Sequence, residues 1–128
     1  MTRTHTPNDI RAPFARYSHA VEVPPGHRLL VVSGQLGISP QDKVPADIVG
    51  QTRQCFENVK AILHDAGMKL SDIVRINAFV TDRRYLQGYM KTRDEFIASP
   101  PPASTLMIVS GFAREEFLVE IEVLASAD

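Results

Sequence analysis

The sequence predicts a two-layer α+β domain, one sheet backed by two helices. Three observations carry that expectation. The stretches DIVRINAFVT at 72–81 and FLVEIEVLA at 117–125 alternate with the period of a strand. Residues 46–66 instead repeat their apolar side chains at helical spacing. The elements follow one another as ββαβαββ along 128 residues, enough chain for one domain with its own core. Two helices in such an order pack on one face of a sheet.

Residues 1–11 are polar and read as a flexible segment, leaving 12–128 as the single domain. In YSHAVEV, Tyr17, His19, Val21 and Val23 alternate with Ser18, Ala20 and Glu22, so a strand is expected. PPGH at 24–27 is a turn signal, and RLLVVSG, closed by Gly34, reads as a buried second strand. Together they predict a hairpin. QLGISPQDKVPAD is loop, and Pro45 suits the first turn of the helix that follows. In that helix Cys55, Val59, Ile62, Leu63 and Ala66 share a face, and Gly67 is its stop.

The next strand sets Val74, Ile76, Ala78 and Val80 against a mixed face of Ile73, Arg75, Asn77 and Phe79. Asp82 caps a second helix, striped by Tyr85, Leu86, Tyr89, Met90, Phe96 and Ile97 and ended by Pro100. A strand over 104–110, the loop GFAREE and a last strand complete the chain. In the last strand Phe117, Val119, Ile121 and Val123 face one way, and Leu118, Glu120, Glu122 and Leu124 the other. That second face is too polar for a core and too apolar for open water, so a homo-oligomer is expected.

Bulk properties exclude several classes. Fourteen basic and 15 acidic residues give a net charge of −1, with no general attraction to nucleic acid or an anionic membrane. No apolar run approaches the roughly 20 residues of a membrane span. The first 14 residues hold no apolar h-region, so no signal peptide is expected. A single cysteine, Cys55, forbids an internal disulfide, fits a cytoplasmic setting and, on the apolar helix stripe, reads as buried. The histidines at 5, 19, 27 and 64 have no metal-ligand spacing, so no metal site is expected.

The stretch PPPASTLMIVSG at 100–111 breaks the chain hard, then offers Ser104 and Thr105 with no charge. Taken with RYSHAV, VVSGQLG, VPADIVGQTRQCFENVKAIL, AGMKLSDIVRINAFVTD and LVEIEVLA, it resembles the Rid (YjgF-type) family of imine and enamine deaminases, also filed as endoribonuclease L-PSP. The match runs over about residues 12–125. The resemblance implies a chorismate-mutase-like fold, a homotrimeric barrel lined by the sheets, and ligand clefts between subunits. It also implies hydrolysis of 2-aminoacrylate and related imines to 2-keto acids and ammonia, without a metal or organic cofactor. Residue by residue, it places Tyr17, Ser33, Gly34 and Glu120 on family positions. The family's carboxylate-gripping arginine falls on Ser104, its helix asparagine near Met90, and the glutamine after its tyrosine on His19.

Imine hydrolysis asks a protein to hold the imine, place a water and move a proton. Glu120 is the candidate to activate the water, and Tyr17 the candidate donor to the leaving nitrogen. Ser33, Gly34, Ser104, Thr105, Met90 and His19 are the candidate substrate contacts. Losing a desolvated charge partner costs on the order of 2–5 kcal/mol in binding, so activity on 2-iminopropionate is expected to be weak or absent and the substrate preference altered. Arg75 and Arg16 are candidates to replace the missing cation.

Each residue also has a plainer reading. Glu120 and Glu122 suit inter-subunit hydrogen bonds, Tyr17 an interface aromatic, and His19 a packed histidine. Ser33-Gly34 suits a strand end, and Ser104-Thr105 a strand start. The alternative function is a non-catalytic trimer that binds a small metabolite or a protein in the same cleft. A ribonuclease is disfavoured, because no basic patch is interleaved with aromatics.

Overall fold

A computed structural model describes residues 2–128. Its elements in chain order are β1 (Arg3–His5), β2 (Ala20–Glu22), β3 (Arg28–Leu36), α1 (Ile48–Asp65), β4 (Ile73–Val80), α2 (Leu86–Arg93), β5 (Ala103–Ile108) and β6 (Val119–Ala127). Short 3₁₀ turns, Leu70–Asp72 and Arg83–Tyr85, precede β4 and α2. Four strands form one sheet in the order β3-β6-β4-β5. β6 runs antiparallel to both β3 and β4, whereas β4 and β5 are parallel and joined through α2.

α1 begins at Asp47, whose Oδ1 accepts from Gly50 N at 2.9 Å and satisfies one of the unpaired amides of the first turn. Pro45 therefore lies before the cap and not in the first turn as expected. At the other end Gly67 takes φ +72°, Met68 N donates to Leu63 O at 2.8 Å, and Gly67 N donates to His64 O at 3.0 Å. This paired closure requires a left-handed residue, which glycine supplies without steric cost.

The apolar face of α1 (Cys55, Phe56, Val59, Leu63) packs on Ile76, Ala78, Val80, Val119, Ile121, Val123 and Ala125, all buried. The alternation read in β4 and β6 is thus the division between core and open face. The two-layer α+β architecture stands as predicted.

The hairpin does not form. β2 pairs with β1 in a separate two-stranded sheet, and β3 pairs with β6. Pro24 and Pro25 remove two backbone donors where that hairpin's ladder would begin. Arg3–His5, read as part of a flexible segment, is the strand that β2 finds instead. β3 is an edge strand and not a buried one: Val32 is 5% exposed, but Leu29 and Val31 are 62% and 70% exposed.

Tyr17 and Ser18 precede β2 and run beside the start of β5. There Ser18 N donates to Pro102 O at 3.0 Å and Ser18 Oγ to Pro101 O at 2.6 Å. The second helix is shorter than its apolar stripe. Asp82 caps the 3₁₀ turn by accepting from Arg84 N at 2.9 Å, and α2 ends at Arg93. Phe96 follows in a turn, where it stacks on Phe56 at 5.1 Å between centroids, and Ile97 lies beyond that turn. β5 and β6 each sit within two residues of the spans expected for them.

Candidate functional site

Strand alternation divides the expected residues between the two faces of the sheet. Ser104 pairs with Ile76, a fully buried core residue, and so points to the helix side. There it lines a cavity of about 240 Å³ with Phe14, Ala15, Tyr17, Met90, Arg93 and Leu106. Thr105 pairs with Asn77 and faces the other way. The two hydroxyls expected at one mouth are therefore on opposite faces.

Tyr17 sits where the chain bends along β5. Its hydroxyl accepts from Phe14 N at 3.2 Å, and among the described residues its own hydrogen meets no acceptor. That leaves one donor for a ligand in the cavity. His19 packs edge-on to the Tyr17 ring at 5.9 Å between centroids. It is held by backbone and neighbours: its Nε2 donates to Arg11 O at 2.8 Å, and its amide donates to Thr6 Oγ1 at 3.3 Å. His19 does not line the cavity.

Glu120 lies on the open face, paired with Phe79 on β4 and Leu36 on β3. Its carboxylate leans over the backbone of Gly34: a Cβ there would come within 2.8 Å of Glu120 Cδ and 2.9 Å of Oε2. Glycine is what permits that approach. Among the described residues Glu120 makes no side-chain hydrogen bond or ion pair. Ser33, next to Gly34 in sequence, is exposed on β3.

Neither cation singled out in the sequence reaches the cavity. Arg16 donates to the carbonyls of Asp94, Ile97 and Ala98 at 3.2, 3.4 and 3.3 Å, closing the turn after α2. Arg75 is on the open face, with Nε on Asn77 Oδ1 at 2.9 Å and Nη2 on Thr105 Oγ1 at 2.6 Å. Asn77 in turn donates to Glu122 Oε1 at 3.2 Å.

Arg93 was not singled out, yet it lines the cavity and is only 2% exposed. Its Nε and Nη2 both donate to Asp94 Oδ1, at 3.2 and 3.0 Å, and its guanidinium lies 5.8 Å from the Tyr89 ring centroid. The available signal was spacing: Arg93 falls three and four residues after Met90 and Tyr89, a charge set on an apolar stripe.

Cys55 is buried. Burial, then the nearby Glu120 charge, pushes its thiol up to about 12, which removes it as a nucleophile. A larger groove of about 570 Å³ runs along α1 past Lys60, His64 and Met68, and none of the expected site residues lines it. Among the described residues no group of three His, Cys, Asp or Glu side chains is placed to hold a metal. No helix among them is long and apolar enough to cross a membrane.

The model of the family described as "Endoribonuclease L-PSP" matches residues 8–127. A 2-iminobutanoate/2-iminopropanoate deaminase of Escherichia coli is 30% identical over 129 aligned positions, 98% of each chain. A RutC family protein of Pyrococcus horikoshii is 32% identical over 115 positions, 88% of each chain. Among solved structures, a protein of unknown function of the conserved Rid protein family from Yersinia pestis superposes with TM-score 0.86 at 27% identity, covering 98% of both chains. The YjgF gene product of E. coli superposes with TM-score 0.74 at 30% identity, covering 98% of this chain and 99% of that one. By sequence and by fold alike, the chain belongs to the endoribonuclease L-PSP family, the Rid (YjgF-type) proteins.

Proposed function

We propose that the protein is a hydrolytic deaminase of a small reactive imine or enamine, releasing a carbonyl compound and ammonia, with a substrate preference altered by Ser104. The observation that carries the reading is the Glu120 carboxylate seated over Gly34, without a side-chain partner among the described residues, beside a sheet edge. An unpartnered carboxylate on a half-buried surface is suited to accept a proton from water. Water adds to the C=N carbon as Glu120 takes its proton. The Tyr17 hydroxyl donates to the nitrogen, giving a carbinolamine. Glu120 then passes its proton to the amine, the carbinolamine hydroxyl returns one to the Tyr17 oxygen, and the C–N bond breaks to release ammonia and the carbonyl compound. Ser33 and Gly34 border the reacting group, Met90 and Ser104 border the substrate body, and no metal or organic cofactor takes part.

Tyr17 and Glu120 lie on opposite faces of one sheet, so one chain does not assemble this constellation. β5 and β3 are the two edges of the four-stranded sheet. A homotrimer that sets the β5 edge of one subunit beside the β3 edge of the next would bring the Tyr17–Ser104 cavity up to Gly34 and Glu120. A ring of this head-to-tail kind closes on itself when the rotation permits.

Ser104 favours a second reading, a trimer that binds a small metabolite in the same cleft without turnover. A panel of imines generated by an amino-acid oxidase separates the two, with the remaining imine trapped by semicarbazide and ammonia measured directly. The deaminase reading expects faster loss of at least one imine, weak action on 2-iminopropanoate, and loss of activity in Glu120→Gln. A folded trimer that accelerates no imine, yet binds the corresponding 2-oxo acid, would establish the second reading instead.

A further inference from the structure

We propose that Arg93 is the anion-binding residue of this protein: the cavity between α2 and β5 takes a small carboxylate with an apolar body, gripped from the helix and not from the strand. The inference rests on the deaminase reading for its substrate class, a 2-imino acid, but its binding claim stands on the geometry of the cavity.

A guanidinium carries five N–H donors. Two of those on Arg93 converge on a single oxygen, Asp94 Oδ1. The buried Tyr89 hydroxyl lies beside the guanidinium but, among the described residues, forms no well-aligned hydrogen bond with it, so the remaining donors lack a full partner. The Arg93 side chain is 3% exposed, whereas that of Asp94 is 42% exposed. A buried charge so thinly satisfied is costly unless a further partner completes it. The wall Arg93 shares is otherwise apolar, with Phe14, Met90 and Leu106, and carries two hydroxyls, Tyr17 and Ser104. This donor set fits one anionic group at the guanidinium, an apolar chain beyond it, and a polar atom near Tyr17. A planar guanidinium meets a carboxylate with two parallel hydrogen bonds, which fixes orientation as well as affinity.

The placement has a consequence for substrate size. A serine in place of an arginine on β5 leaves room in the cavity, about 240 Å³ in all, beside Ser104. A carboxylate held by α2 lies across the cavity from where a β5 guanidinium would hold it. A three-carbon imine gripped there is displaced, while a longer side chain fills the vacated space. The preferred substrates are therefore 2-imino acids with a branched or extended aliphatic side chain.

The test uses 2-oxo-4-methylpentanoate, the stable product of one such imine, and its neutral amide. Calorimetric titration of the intact protein should show the acid binding, with Arg93→Met weakening it tenfold or more and Arg93→Lys, which keeps the charge but not the paired hydrogen bonds, falling between the two. The amide should bind wild type and Arg93→Met alike. Wild type that does not bind the acid, an unchanged affinity in Arg93→Met, or equal losses for acid and amide would each overturn the proposal. Should Arg93→Met fail to fold, a crystal structure of wild type with the acid decides: the carboxylate lies on Arg93, or the proposal is wrong. Arg93-dependent binding without ammonia release from any imine would leave this inference standing and remove only the deaminase reading.

Discussion

Ser104 and Arg93 reach one cavity from different elements, so a single positive charge can be moved between them by substitution. Arg93→Met removes the helix cation, and adding Ser104→Arg returns one from the strand. Ser104→Arg alone sets two guanidinium groups side by side, and their repulsion obscures any gain. The double variant avoids this and should recover most of the affinity for a 2-oxo acid lost in Arg93→Met. It should also raise 2-iminopropanoate turnover tenfold or more, equivalent to about 1.4 kcal/mol. Titration and the semicarbazide assay on both variants check this, and a double variant no better than Arg93→Met would show that residue 104 does not face the substrate anion. At this scale the sequence was legible wherever a position carries its own chemistry. It placed Cys55 in the core, and it picked out Gly34 and Glu120, which the fold sets against each other. It missed Arg93 because a charge in a helix reads as solvated until the partner surface is known. It grouped Ser104 with Thr105 because adjacency in sequence hides alternation across a strand.

A second polar residue on an apolar stripe shows how the elements are joined. Gln51 in α1 is 1% exposed. Its Nε2 donates to Pro45 O at 2.9 Å and Glu116 O at 2.8 Å, and its Oε1 accepts from Leu118 N at 2.8 Å. One side chain thus ties the loop before α1 to the segment leading into β6, the strand that carries Glu120. Gln51→Leu keeps the bulk and strands three backbone groups, each costing about 1–3 kcal/mol when buried without a partner. We expect a loss of about 3 kcal/mol or more in urea unfolding, where an ordinary surface change moves stability by about 0.5 kcal/mol. A loss under 1 kcal/mol would mean that water or a shift of the loop replaces these bonds. Periodicity made α1, β4 and β6 legible, because each buries one face against the other layer. It failed for the first two strands. Alternation in YSHAVEV names a strand but not its partner, and β1, with every residue exposed, has no apolar pattern to read.

The open face of the sheet sets the last question at the scale of the whole molecule. Leu29 and Val31 on β3 and Met107 on β5 are 62%, 70% and 52% exposed, beside the network of Arg75, Asn77 and Glu122. Apolar side chains gathered on one sheet face, at both of its edges, are what a self-assembling surface presents. Light scattering should give a mass three times the 14.2 kDa of the chain, and a stable monomer at micromolar concentration would remove the assembly. Whether the cleft is shared can be asked separately. Glu120→Gln and Tyr17→Phe should each be inactive as homotrimers. If Tyr17 of one subunit works with Glu120 of the next, trimers reassembled from an equal mixture hold some clefts in which both residues are intact. Random assembly makes that fraction about one quarter, since each of the two sides is independently intact half the time. If both residues served the same cleft from one chain, every cleft would lack one of them and mixing would restore nothing. Recovered ammonia release near a quarter of the wild-type rate would therefore establish the shared cleft, and no recovery in demonstrably mixed trimers would exclude it.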